Sequence, residues 1–449
     1  MKDDSRLRAW IRRLAAAVAS AALVGGAGFV APAQSEDGPI AAATTAAKTE
    51  AIAARLEQLG DRTRLLFEMS GAVHAEAFAV TGPDRIIVDL PEVAFRLDPA
   101  TGRPSDSAKI ASASASLIKS YRFGQFAPGR SRVVIDLARS AKILRAESVE
   151  RPHGQRLEID LAPLDAAKFA EAVAEHARTI AITSAPPQDA QNLGSKPALS
   201  ESDKSLLQPL LVIDPGHGGV DVGAASKHGE LEKAIVLEFA KTLKTKIEAQ
   251  GRLRVQLTRG DDVFIALDDR VRFARQQGAA LFMSIHADTL GEPNVQGATV
   301  YTVASRASDA ESARIAEKEN FADQAAGLEQ TASAEEIGDI LFDLTRRETR
   351  ALSRNFAATL VAKWRDAGSL NKNPNRSAGF VVLKANDVPS VLLELGYLSS
   401  AKDLANLTSP QWRDHAAQTT AEAIEAYFAS RDRDAHAPSQ SAEAASRPQ

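Results

Sequence analysis

The stretch LLVIDPGHGG, Leu210 to Gly219, passes within ten residues from an unbroken apolar run to one imidazole set among three glycines and a proline. A short apolar run closed by turn residues reads as a buried strand. Gly and Pro directly after it form a tight loop that leaves His217 in a crevice. The event recurs at LFMSI, Leu281 to Ile285, which runs straight into His286. Around these two runs, apolar strands alternate with helical patterns: a helix from Glu232 to Gln250, the strand VQLTR, a helix from about Ala266 to Gln277, then GATVYTV, long helical segments and SVLLELGYL. That alternation predicts an α/β domain with a largely parallel sheet flanked by helices, whose sites lie at the carboxyl ends of the strands.

Two histidines that each close a buried strand lie side by side if their strands are neighbours. Each alone is more often a hydrogen-bonded core or surface residue. The third group is Glu232, at the start of a helix whose Val236, Ala240, Leu243 and Ile247 recur at helical spacing. By itself, a first-turn acid is explained by the helix dipole. Together, two imidazoles and a carboxylate are the three-ligand set of a catalytic zinc, with a fourth position open. With no cysteine in the chain, His, Asp and Glu are the available ligands, and thiolate nucleophiles and disulfides are excluded.

At 449 residues and 44% apolar composition, the chain is long enough for two domains. A formal net charge of -4 gives no global basic field, so nucleic acid is a poor default partner. At the N-terminus, Arg6, Arg8, Arg12 and Arg13 precede an apolar run from Leu14 to Val30 and the A-x-A site Ala31-Pro32-Ala33. Residues 1–33 therefore read as an export signal, of the Sec or twin-arginine type, rather than a retained anchor. No later segment has the roughly 20 continuous apolar residues that span a bilayer. Residues 51–163 carry an internal echo: TRLLFEMS at Thr63, DRIIVDLP at Asp84, SRVVIDLA at Ser131 and QRLEIDLA at Gln155. Each is a polar residue, an arginine and strand-like alternation ending in an acid, which predicts a small all-β sandwich of two related halves. The repeated arginines fit either solvated strand faces or contacts to a polyanionic or sugar ligand. Residues 164–208, rich in Pro, Ser and Gly after a short Ala-rich stretch, read as a linker, 209–430 as the catalytic domain and 431–449 as a disordered tail.

LLVIDPGHGG, ELEKAIVLEFAKTL, LTRGDDVFIALDDRVRFARQQGAALFMSIHAD, GATVYTV, KENFAD and AGFVVLKANDVPSVLLELGYLSS together resemble the zinc-dependent N-acetylmuramoyl-L-alanine amidases of bacterial cell-wall remodelling. The likeness runs from about Leu210 to Phe428, and residues 51–163 are similar to the AMIN domain that precedes the catalytic domain in periplasmic members. The resemblance implies one Zn2+ held by His217, Glu232 and His286, and a catalytic glutamate at Glu394. It implies hydrolysis of the amide between N-acetylmuramic acid and L-alanine in peptidoglycan, for septal wall splitting and daughter-cell separation in the periplasm. Rival readings are a zinc peptidase acting within the stem peptide and a catalytically dead peptidoglycan-binding protein. Glu230 and His228 read as loop residues.

Regulated relatives place a helix over the zinc and fill its open position with an acid of that helix; a LytM-domain activator withdraws it. The segment Ser305 to Asp343 is the candidate here, with Glu311 as the acid and Gln324 as a second contact. The competing reading of Glu311 is a capping box with Ser308.

Overall fold

The computed structural model describes residues 48–98, 101–102, 116–152, 154–183, 208–292, 294–328, 340–366 and 368–436. The expected export signal, most of the linker, the tail beyond His436 and residues 329–339 of the regulatory segment lie outside the described residues.

Among the described residues, the N-terminal domain has nine strands: β1 (Thr49–Leu59), β2 (Arg62–Met69), β3 (Glu76–Val80), β4 (Arg85–Pro91), β5 (Val93–Phe95), β6 (Ile118–Ala127), β7 (Arg130–Leu137), β8 (Ala141–Arg151) and β9 (Gly154–Pro163). They form two sheets, in the order β5-β1-β2-β9-β8 and β3-β4-β7-β6. The four echoed segments are β2, β4, β7 and β9. β2 pairs with β9 in one sheet and β4 with β7 in the other, so each sheet is centred on one copy from each half. Leu65, Phe67, Ile86, Val88, Val133, Ile135, Leu157 and Ile159 alternate inward into the shared core.

Register also settles what the repeated arginines do. Arg64 stands opposite Asp160, Arg85 opposite Asp136, and Arg132 opposite Asp89. Each arginine of one copy meets the terminal acid of the other, at 2.6 Å for Arg64–Asp160, 3.5 Å for Arg85–Asp136 and 2.6 Å for Arg132–Asp89. Opposite charges directly across an antiparallel pair stabilise that register.

The linker begins later than its composition suggests. Helix α1 (Ala166–Thr183) follows β9 and buries Phe169 and Val173 in the sandwich core, while His176 stacks on Phe78 at 4.9 Å. Apolar residues at this spacing return the chain to the domain before it departs.

The catalytic domain has a six-stranded sheet, ordered β11 (Arg254–Leu257), β10 (Leu210–Pro215), β12 (Leu281–His286), β15 (Ser390–Glu394), β13 (Ala298–Val303) and β14 (Leu370–Ala378). β10, β11, β12 and β15 run parallel; β13 is antiparallel to β15, so the sheet is mixed at one side. One face packs against α2 (Glu232–Gln250), α6 (Ile340–Trp364) and α8 (Pro410–His436) through Val236, Leu243, Phe356, Leu360 and Ile424. The other face packs against α3 (Leu267–Gln276) and α4 (Ala310–Asn320) through Ala274, Ile315 and Ala316. The short helices α5 (Ala322–Ala325) and α7 (Ala401–Leu407) follow α4 and β15. Helix α8 runs on to His436, past the expected boundary at 430.

Helix α2 occupies the range that its periodicity predicts, ending where Gly251 takes the left-handed conformation with φ 71°. The start of α4 differs from the expected capping box. Asp309, not Ser308, is the cap, its carboxylate accepting from the Ser312 N–H at 2.8 Å. An ionised acceptor makes the stronger cap beside the positive end of a helix.

Candidate metal centre

β10 and β12 are parallel neighbours, with Pro215 opposite Ile285, so the loop after one strand and the end of the other meet. The rings of His217 and His286 lie 5.0 Å apart, and both residues are buried. Gly216 permits this approach: a Cβ there would sit 2.5 Å from Cε1 of His286. His217 itself has φ 58°, a region that a side chain rarely enters. Its surroundings hold it there. Asp221 Oδ2 lies 2.9 Å from Nδ1, and Arg270 donates to the His217 carbonyl at 2.8 Å. Arg259 donates to the carbonyls of Pro215 at 2.9 Å and Gly216 at 2.8 Å, so two buried guanidiniums stitch the loop. An ionised carboxylate can only accept, so in the neutral, metal-binding form of the ring the Asp221 contact places the proton on Nδ1 and leaves the Nε2 lone pair for the centre.

Glu232 is fully buried rather than spent on the helix terminus. Its Oε2 accepts from the Ala224 N–H at 2.7 Å and its Oε1 from the Ala287 N–H at 2.8 Å. The same oxygens reach His217 Nε2 at 3.2 Å and His286 Nδ1 at 3.3 Å. A fourth group comes from α4: Glu319 Oε2 lies 3.3 Å from His217 Nε2 and 3.0 Å from His286 Nδ1.

These separations fit a shared cation. Ligands about 2.0–2.1 Å from a tetrahedral zinc lie roughly 3.3–3.4 Å from one another along the edges. Both imidazole nitrogens, though buried and within 3.3 Å of carboxylates, make no well-directed hydrogen bond. The two histidines and Glu319 offer donor atoms mutually within 4.8 Å. Glu232 meets each histidine through a different oxygen, so the donors present can hold a metal as two imidazoles with one or two carboxylates. Without a cation, the cluster is strongly interdependent. Burial disfavours the charged form of His286, but Glu319 and Glu232 outweigh it and lift its pKa to about 10. His217 is likewise raised, the carboxylates of Glu232, Asp221 and Glu319 overcoming burial.

Glu394 closes β15 directly opposite His286 and is fully buried. Its Oε2 accepts from the Asp288 N–H at 3.1 Å and its Oε1 has no hydrogen-bond partner. Burial, with the neighbouring acids Asp288, Glu232 and Glu319 against the opposing pull of His286, holds its carboxyl well above the usual range.

The chain belongs to the N-acetylmuramoyl-L-alanine amidases. Residues 211–426 match the family model of that description, and residues 53–161 match the AMIN domain. N-acetylmuramoyl-L-alanine amidase AmiC of Escherichia coli O6:H1 is 30% identical over 390 residues, covering 86% of this chain and 91% of that protein. AmiC of Neisseria meningitidis serogroup B is 32% identical over 398 residues, covering 87% and 93%. AmiA of Escherichia coli K12 is 37% identical over 235 residues, covering 52% of this chain and 80% of its own length. This amidase is thus a hydrolase of peptidoglycan with an AMIN domain ahead of its catalytic domain. Among the described residues, no helix is long and apolar enough to cross a membrane.

Of the six residues singled out in the sequence, His217, Glu232, His286 and Glu394 of the amidase meet in one buried cluster. Glu311 and Gln324 do not join it. Glu311 pairs with Arg376 at 3.2 Å, and the backbone carbonyl of Gln324 accepts from Arg85 of the N-terminal domain. The acid of α4 that reaches the histidines is Glu319, two turns further along; eight residues at 1.5 Å each put Glu311 about 12 Å away. The signal was present in the quoted KENFAD, whose second residue is Glu319. Asp221 and the two loop-stitching arginines carried no comparable sign. Glu230 and His228 are turn residues, as expected: Ser226 Oγ donates to the Glu230 carboxylate and accepts from the His228 N–H at 3.0 Å.

Proposed function

We propose that the centre binds one zinc through His217, Glu232 and His286, and that Glu394 is the general base for hydrolysis of the amide between N-acetylmuramic acid and L-alanine. Held by these residues, a zinc ion would supply a Lewis acid for an amide carbonyl and would bring the pKa of water towards ~7. The protein's own groups do the rest. Asp221 fixes the His217 tautomer, and the Ala224 and Ala287 N–H groups fix the Glu232 carboxylate, so the donors need little reorganisation. Glu394 takes a proton from the attacking water on its unpartnered Oε1 and returns it to the leaving amine. Burial and the neighbouring acids raise its affinity for that proton.

The observation that carries this reading is that the buried Nε2 of His217 and Nδ1 of His286, beside Glu394, face carboxylates yet make no hydrogen bond. Glu319 closes the site in the resting enzyme. It lies against both nitrogens, and its helix is fastened by the Lys318–Asp288 ion pair and by Asn320, which donates to the Gly379 carbonyl at 2.9 Å and accepts from the Val381 N–H at 2.8 Å. An exported hydrolase of the confining wall needs such closure. A LytM-domain activator in the periplasm draws α4 away, and the N-terminal domain holds the enzyme on septal peptidoglycan for daughter-cell separation.

Metal content measured beside muropeptide products tests the reading. One zinc per chain and intact stem peptides freed from glycan strands support it. Shortened stem peptides still joined to the glycan would make the enzyme a peptidase instead.

A further inference from the structure

The carbonyls at the C-terminal end of α5 point into the N-terminal domain. Arg85 donates to the Gln324 carbonyl, Arg122 to that of Ala325 at 2.9 Å, and Arg132 to that of Ala326 at 3.0 Å. Three successive carbonyls thus receive three guanidiniums from β4, β6 and β7. The last carbonyls of a helix have no partners within it and carry the negative end of its dipole, so cations bearing N–H donors are their natural complement. The arginines are held in place from behind. Asp136 takes Arg122 at 2.8 Å and stands 3.5 Å from Arg85, while Asp89 takes Arg132 at 2.6 Å.

An apolar patch surrounds these bonds. Val80, Ile87 and Val134 on the outer face of the second sheet share one buried cluster with Ala326 and with Val220 and Phe264 of the catalytic domain. Gly327, with φ 78°, lies so close that a Cβ would come 2.3 Å from Cδ1 of Ile87. Val220 follows the His217 loop, and its N–H donates to the Gln125 carbonyl of β6 at 3.3 Å. On the catalytic side, Asp323 accepts from the Leu267 N–H at the start of α3, at 2.9 Å. The segment that carries Glu319 is therefore gripped at its far end between two domains.

We infer that the outer face of β4, β6 and β7 is a latch: Arg85, Arg122 and Arg132 hold the C-terminal end of the 310–328 segment and so keep Glu319 over the histidines. The inference rests on the proposed reading that Glu319 closes the site. Two of the echoed arginines, Arg85 and Arg132, then have two tasks, pairing across the sheet and presenting a further N–H group to the end of α5, and Arg122 joins them from β6. The domain regarded as a wall-targeting module is also part of the inhibitory assembly, and its departure from the catalytic domain releases α4.

The test uses the full zinc-loaded chain in three forms: Arg85→Ala with Arg122→Ala, Gly327→Leu, and Glu319→Ala. The first acts from the sheet side and the second from the segment side, leaving the N-terminal domain unaltered. Amide hydrogen exchange reads the latch directly, and dye release from labelled sacculi reads its consequence. The latch requires faster exchange across residues 310–328 in both disruptive variants and a basal rate raised about tenfold, equivalent to ~1.4 kcal/mol. Unchanged exchange in Gly327→Leu and the arginine variant overturns it, as does a raised rate in Glu319→Ala alone. If Glu319→Ala does not raise the rate while exchange rises as stated, the latch stands and the closure reading fails.

Discussion

Replacing Glu319 by alanine should convert a closed amidase into an open one. Its side chain is 5% exposed and lies 3.3 Å and 3.0 Å from the two imidazole nitrogens. Although burial opposes ionisation, the His286 and His217 charges hold its carboxyl far below the usual range, so it is a buried anion supported by the site. Removing one member of such a buried charged set costs ~3–5 kcal/mol. At ~1.4 kcal/mol per decade, the ratio of open to closed α4 rises by about 10² to 10³·⁵. The remaining ties, Lys318 to Asp288 and Asn320 to Gly379 and Val381, persist in the variant and set the level at which activity saturates. Initial rates of dye release from labelled sacculi, with zinc content matched between proteins, measure the change. Glu311→Ala is the contrast. Glu311 is 24% exposed with a single ion pair to Arg376, a contact of ~0–1 kcal/mol, so its loss should raise the rate less than about fivefold. A Glu319→Ala protein within about twofold of the parent, or a Glu311→Ala protein more active than it, would refute the assignment of Glu319 as the closing group.

The remaining predictions concern the centre and its support. Glu394→Gln should keep its zinc and lose about 10²- to 10⁴-fold in turnover, whereas His217→Ala should lose the metal; metal analysis beside muropeptide release checks both, and loss of zinc from Glu394→Gln would make that residue a ligand. Gly216→Ala should weaken zinc retention against a chelator, because its Cβ would stand 2.5 Å from the His286 ring, while Gly260→Ala, with nothing within 4 Å, should leave retention unaltered. Asp214 is buried, which raises its pKa, but Arg270 and the Thr258 and Ser284 hydroxyls outweigh this and bring it below the ordinary value. Its stabilisation is therefore complete above the unfolded pKa of ~3.9 and is lost as pH falls through the lower folded value. Urea midpoints recorded between pH 5 and pH 2 should fall less steeply for Asp214→Asn than for the parent; equal slopes would show that the carboxylate contributes nothing.

Local periodicity was enough to locate α2 from Glu232 to Gln250, the strands that end at Pro215 and His286, and the repeated strands of the N-terminal domain. Those features depend on residues within one or two turns of each other, and the chain carries that information directly. The partnership of His217 with His286 was legible because both histidines end apolar runs, and the pairing of β10 with β12 satisfies it. Glu394 looked like any acid after a strand, and only its likeness to a family marked it out. Glu311 and Glu319 show the limit. Both are acids on one helix, two turns apart, and local sequence cannot say which end of α4 docks over the histidines. The docking is decided by contacts distant in sequence: Asp288 for Lys318, Gly379 and Val381 for Asn320, and three arginines of another domain for the carbonyls of residues 324–326. The echoed arginines were visible as a pattern, but sheet register chose their acids, and domain packing gave two of them, Arg85 and Arg132, a helix end to hold. A repeat in sequence records a local geometry; its partners are selected by which surfaces lose water together when the whole chain packs.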